Sequence, residues 1–162
     1  MRAVPRFLLL GLCLAVLPVV GCDSGSLTPE DEDRIQLEAA MDCSVTMLAL
    51  GATERGELNT GSCRTHGAGS YLSFYGLRIG EEMGNDYLLI DMAADGSPLN
   101  PYLILLSSDG QNQIAFNDDF LPPSSDARIR IRGLQPGLYA IVARTAVVGQ
   151  TGNFSISVQR ER

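Results

Sequence analysis

Cys22 follows Val19-Val20-Gly21, two aliphatic residues and a small one, in the order of a bacterial lipobox. A peptidase that cuts before a lipidated cysteine binds the preceding residues in an extended pose and needs them small. The thiol then carries a diacylglyceryl group and the freed amine is acylated; several acyl chains anchor stably where one binds only marginally. A second group, Asn117, Asp118, Asp119 and Asp126, offers hard oxygen ligands on a loop, the donor set calcium takes in extracellular modules. A third, Arg128, Arg130 and Arg132, alternates with isoleucines and presents guanidinium forks suited to an anionic polysaccharide or lipid head group. Cys43 and Cys63 are left as an even pair once Cys13 leaves with a signal and Cys22 is taken by lipid.

Each of these groups also has a plainer reading. The acids of residues 117–126 suit an Asx-rich turn whose carboxylates cap backbone N–H groups, and Pro122-Pro123 stiffens the segment between them. The arginine stripe suits a soluble outer face balanced by nearby acids. Cys43 and Cys63 suit a disulfide in a compartment that permits one, closing 21 residues and contributing about 3 kcal/mol in the chain-entropy picture. Two buried free thiols, or a metal pair, are the rival readings.

The remaining polar residues argue against an enzyme. His66, the only histidine, sits four residues before Ser70 in a glycine-rich loop. A general base needs a fixed geometry to its serine, and the chain lacks a G-x-S-x-G elbow. Glu81 and Glu82 are adjacent, whereas glycoside hydrolysis needs two carboxylates set across a cleft. All 12 basic residues are arginine, which excludes a Schiff base or a phosphate-loop lysine. A net charge of -7 argues against a nucleic-acid partner. No cofactor is required, calcium being the one candidate.

The elements that must position these residues fall into three parts. Arg2 and Arg6 precede 14 uncharged residues, 7–20, shorter than the about 20 a membrane-spanning helix needs, so residues 1–21 read as a lipoprotein signal peptide. Its removal leaves 141 residues with 10 arginines against 19 acids, a charge of -9. Membrane attachment therefore rests on lipid at Cys22 rather than on a basic patch. Asp23 matches the inner-membrane retention signal of enterobacterial lipoproteins; other lineages do not all obey it, which leaves the membrane open within a cell-envelope location. Residues 22–42 read as a flexible lipidated tether with a short helix, capped by Thr28-Pro29-Glu30-Asp31 and extended by Ile35, Leu37 and Met41.

Residues 43–162 read as the domain. Short apolar runs at 44–50, 72–79, 87–92, 102–106, 113–116, 127–131, 138–146 and 154–158 alternate with Gly, Pro, Asn and Asp. Period two in Arg128-Ile129-Arg130-Ile131-Arg132 and in Phe154-Ser155-Ile156-Ser157-Val158 puts apolar residues on one face and arginines or serines on the other. Arg144 is placed beside the stripe on a neighbouring strand. About eight strands at this spacing indicate an all-β antiparallel sandwich.

Four consecutive pieces from about Gly56 to Val158 resemble the bacterial pre-peptidase C-terminal domain. Gly56-Glu57-Leu58 resembles its opening "G-x-L" strand. Pro101-Tyr102-Leu103-Ile104-Leu105-Leu106 with Asp109-Gly110 resembles its "D-x-Y-L-x-L" strand and turn. Asn117-Asp118-Asp119 resembles its acidic "N-D-D" turn. Ser125-Asp126-Ala127-Arg128-Ile129, then Leu134 to Tyr139 and Thr151-Gly152-Asn153-Phe154, resembles its closing strands. Ser73 stands where the family often has aspartate, and residues 80–87 exceed its usual turn. The resemblance implies a jelly-roll-like β-sandwich and a non-catalytic binding or folding-assistance module. With the lipobox, the tether and the lack of catalytic residues, the reading is an envelope module that binds a peptide, a glycan or a partner protein. The alternative is a structural or assembly subunit of an envelope complex. The family's domains usually follow a secreted peptidase, and none precedes this one in the sequence.

Overall fold

The structure is a computed structural model and describes residues 27–64, 69–120 and 124–162. Thr28 opens the helix α1, Pro29–Met41, with a reciprocal cap: its Oγ1 accepts from Asp31 N at 3.2 Å while Asp31 Oδ2 accepts from Thr28 N at 3.1 Å. The side-chain bond to Thr28 is the main reason the Asp31 carboxyl titrates below its usual range. Proline at the first position and Glu30, Asp31 and Glu32 in the first turn suit the helix N-terminus. The helix ends at Asp42, which takes a left-handed conformation (φ 53°).

The expectation of a flexible tether through residue 42 is corrected here. Leu37 is fully buried, clustered with Val45 and Ala140, and Asp33 is buried in an ion pair with Arg78. The helix therefore packs on the sandwich as part of it. What admits it is Gly76, where an added Cβ would lie 2.6 Å from Leu37 Cδ1 and 2.3 Å from Met47 Sδ.

Ten strands follow: β1 Val45–Leu48, β2 Thr53–Leu58, β3 Cys63–Arg64, β4 Tyr71–Ile79, β5 Tyr87–Ala94, β6 Pro101–Ser107, β7 Gln113–Asn117, β8 Ala127–Arg132, β9 Gly137–Thr145 and β10 Gly152–Glu161. Sheet I runs β1-β4-β9-β6-β7, with β3 also paired to β4; sheet II runs β2-β10-β5-β8. All eight strands expected from the apolar runs are present; β2, whose end Gly56-Glu57-Leu58 is marked only by the family resemblance, and β3 are additional. The sheets stack as a sandwich, antiparallel at every pair but β1–β4, which is parallel. The reason is connectivity: the chain leaves β1 to build β2 in the other sheet before returning as β3 and β4, so β1 and β4 are not hairpin partners. A 3-10 turn, Glu81–Met83, accounts for the long β4–β5 connection and buries Met83.

Between the sheets lie the alternate residues of each strand, among them Leu77, Ile90, Leu103, Ile141, Phe154, Ile156 and Val158, all fully buried. Phe154 meets Tyr75 of the opposite sheet edge-on, centroids 6.4 Å apart at 89°, a favoured aromatic arrangement. Gly56 makes room for both: a Cβ there would stand 2.3 Å from Phe154 Cζ and 2.7 Å from the Tyr75 hydroxyl. Outside the sandwich, β9 is covered on its second face by α1 through Ala140 and Leu138, as its two-sided apolar sequence requires.

Burial first, and the charge of Glu54 second, push the Tyr75 phenol from 10.0 up to about 12. The unfolded phenol ionises near 10. The neutral form's contribution is therefore complete below pH 10 and falls as pH rises from 10 toward 12. Tyr75→Phe keeps the ring contact, so it should flatten this alkaline loss; urea midpoints at neutral pH and above pH 10 measure it.

Candidate functional site

The outer face of sheet II carries one cross-strand row through all four strands: Thr53, Ser157, Asp91 and Arg128, each directly opposite the next. The neighbouring row places Ser155 between Arg55 and Ala93. Serines and alanine keep this floor low, because the alternation of β10 sends Phe154, Ile156 and Val158 inward and the small residues outward. Phe120, Ser124 and Asp126, from the β7–β8 connection, stand over one side. Together they enclose a cleft of about 420 Å³.

Arg128 is held from three directions. Its Nε donates to Asp91 on the adjacent strand, its guanidinium lies 4.3 Å from the centroid of the Phe120 ring, and its backbone N donates to Asn117 Oδ1 at 2.9 Å. The bond to Asp91 is the first cause of a guanidinium pKa raised above its already high value, so this is a permanent cation. Asp126 ties the connection to the sheet: its Oδ1 accepts from Ala94 N at 3.3 Å and its carbonyl accepts from Phe120 N at 2.8 Å. The cleft thus offers hydroxyls, a fixed ion pair and an aromatic ring. Such groups are suited to hydrogen-bonding a polar ligand; the only strand carboxylate on the row, Asp91, is already committed to Arg128.

The expected site residues separate. Asn117 and Asp126 act in the way of the turn reading, holding backbone N–H groups, while Asn117 Nδ2 also donates to Asp119 O at 3.4 Å. Asp118 and Asp119 are exposed. Among the described residues no group of three or more carboxylate, histidine or cysteine side chains is placed to hold a metal ion, so Asp118, Asp119 and Asp126 are not brought together as one donor set. Arg128, Arg130 and Arg132 do share the outer face. Arg130 is bonded to Glu161 at 2.6 Å and lies over Tyr87, as does Arg132 at 5.4 Å from the ring centroid. Two of the three charges are therefore already answered by acids of β5 and β10.

Arg144 does not join them. The chain passes from β8 in sheet II to β9 in sheet I across residues 133–136, so Arg144 stacks on Tyr102 in the other sheet. Cys43 and Cys63 form a disulfide, Cα atoms 6.5 Å apart, which displaces the free-thiol and metal-pair readings. Glu81 and Glu82 are exposed side by side on the 3-10 turn. Cys22, Asp23 and His66 lie outside the described residues. Sequence reasoning missed Asp91, Thr53 and Phe120; the one available signal was a lone carboxylate inside the apolar run Tyr87-Leu88-Leu89-Ile90-Asp91-Met92.

No family model matches this chain, and no curated protein matches it. Among solved structures it is similar to the crystal structure of the pre-peptidase C-terminal domain of a collagenase from Bacillus anthracis, with a TM-score of 0.52 and 15% identity over 72% of this chain and 95% of that one. The fold is that of a pre-peptidase C-terminal domain. At this identity the likeness is one of fold, and it agrees with the resemblance in the strand and turn motifs. Almost the whole of the collagenase domain finds a counterpart here.

Replacing Asn117 by Ala leaves the half-buried N–H of Arg128 on edge strand β8 without its side-chain acceptor and should cost about 1 kcal/mol, whereas Asp118→Ala should stay within about 0.5 kcal/mol. Melting curves taken with millimolar calcium and with chelator check the calcium expectation: a lower melting temperature on chelation would support it, and coincident curves would remove it.

Proposed function

We propose that this chain is a lipid-anchored protein of the bacterial cell envelope whose sandwich is a non-catalytic binding module, taking a polar peptide or glycan segment in the sheet II cleft. The observation that carries the reading is the cleft itself: a floor of Thr53, Ser155 and Ser157, a pre-paired Asp91–Arg128, and Phe120 at the rim. The floor's donors and acceptors are set by strands, and the Phe120 ring of the β7–β8 connection is stacked on Arg128, the preorganisation a binding site needs.

The anchor is Cys22, on the lipobox and signal pattern. No helix among the described residues is long and apolar enough to cross a membrane, and lipid supplies attachment without one. Because α1 begins at Pro29, the chain from Cys22 spans at most about 25 Å, so the sandwich works close to the bilayer. By the enterobacterial rule Asp23 favours the inner membrane.

A structural or assembly role is the second reading, favoured by apolar side chains left open on sheet I, Ile114 and Phe116. A native mass showing only monomer, for protein freed of its lipid, would weigh against that reading.

Cys22→Ser should move the protein from the membrane pellet to the soluble fraction and remove the acyl mass; unchanged pelleting would remove the anchor. For the cleft, Ser157→Trp fills the floor from an outward position. Immobilised protein should lose envelope components retained by the unmodified chain, at an unchanged melting temperature. Equal retention by both proteins would place binding elsewhere.

A further inference from the structure

The outer face of sheet I is half covered. Five strands about 4.8 Å apart make a face about 19 Å across, and one helix is about 10 Å wide. The helix α1 lies over β1, β4 and β9, packing Leu37 and Met41 against Val45, Phe74 and Ala140. Its Met41 end reaches Leu106 of β6 and Gly110 of the β6–β7 turn, leaving open the part of β6 and β7 that carries Ile104, Ile114 and Phe116. Beyond it the row Phe74, Val142, Ile104, Phe116 continues across β9, β6 and β7 in direct register. On the far strands nothing covers this row: Phe116 is 57% and Ile114 36% exposed, and Tyr102 stacks flat on Phe116 with centroids 6.1 Å apart.

One cation borders the open strip. Arg144 lies with its guanidinium 4.1 Å from the Tyr102 ring centroid. Its Nε is buried with no hydrogen-bond partner, and it has no carboxylate partner among the described residues. On the covered half of the same face, Arg78 is answered by Asp33 of α1. The two halves are therefore built alike, an apolar strip beside an arginine, and only one half holds a helix with its acid.

We infer that the open half of sheet I docks an amphipathic helix of a partner protein, laid beside α1, with an acidic side chain set against Arg144. The strip left open is about one helix wide, and a helix beside α1 would sit at the usual 8–10 Å interaxial distance. Its apolar residues at helical spacing cover Ile104, Ile114 and Phe116. Its carboxylate meets a cation already stripped of part of its water, where attraction is stronger than in bulk solvent. The sheet II cleft takes no part, so the two readings stand or fall separately.

The test replaces Phe116 by p-benzoylphenylalanine in the full chain, in cells that make it, with the same group at exposed Thr60 of the β2–β3 turn, away from both surfaces, as the control. The crosslinked segment is then identified by mass spectrometry. The expected result is one partner, joined through a segment of helical apolar periodicity that carries Asp or Glu. Arg144→Glu should lower the yield about tenfold, the loss of one charge-assisted contact, while Arg144→Lys, which keeps the charge, should keep most of it at an equal melting temperature. Crosslinks to a lipid acyl chain, to a second copy of this chain or to a non-helical segment would overturn the inference, as would a yield no higher than at Thr60.

Discussion

Phe154 is fully buried over a glycine. Its ring occupies the space that a side chain on Gly56 would take, and its edge meets Tyr75 of the opposite sheet. This contact clamps β10 between β2 and β5 and sets the distance between the sheets at the middle of the sandwich. It also sets which residues of β10 face outward. With Phe154 inside, period two leaves Ser155 and Ser157 outside, and they become the floor of the cleft. A shift of β10 by one residue would put phenylalanine on the surface and serines in the core, so the cleft and the core are fixed by one choice of register.

The two outer faces then diverge. Sheet II faces solvent with hydroxyls and with arginines matched to acids on neighbouring strands, Arg128 to Asp91 and Arg130 to Glu161. Such exposed and half-exposed pairs add little stability, but they hold side chains in place, which matters for a surface that recognises a ligand. Sheet I faces outward with apolar residues, and α1 covers only part of them. Gly76 decides this arrangement: without a Cβ it lets Leu37 rest on the sheet, and the ion pair of Asp33 with Arg78 fixes the entry end of the helix. One face is finished and polar, the other half-finished and apolar.

Much of the fold was legible because alternation survives wherever a strand has one buried face. Arg128 to Arg132 and Phe154 to Val158 read directly, and the cap at Thr28 located the helix start. The edge strand β2 did not read by alternation, because Thr53-Glu54-Arg55-Gly56-Glu57 is polar on both faces and only Leu58 is buried; only the resemblance at Gly56-Glu57-Leu58 marked it. The docking of α1 was hidden because it depends on Gly76 and Met47, distant residues that no local pattern links to Leu37. The site was half legible. The parity of cysteines pointed to Cys43 and Cys63, and the stripe of arginines to an outer face. Strand order was not accessible, so Asp91 went unnoticed, and Arg144, which follows the stripe in sequence, lies across the sandwich from it.

The most direct test of the central claim, that the sheet II cleft is an occupied binding surface in the envelope, is the rate of maleimide labelling of Ser157→Cys, with Gln111→Cys in the exposed β6–β7 turn as reference. The account predicts that Ser157→Cys reacts slowly in intact envelopes and regains a fast rate once the protein is purified, while the reference position reacts alike in both. Equal rates for Ser157→Cys in the two preparations would contradict it.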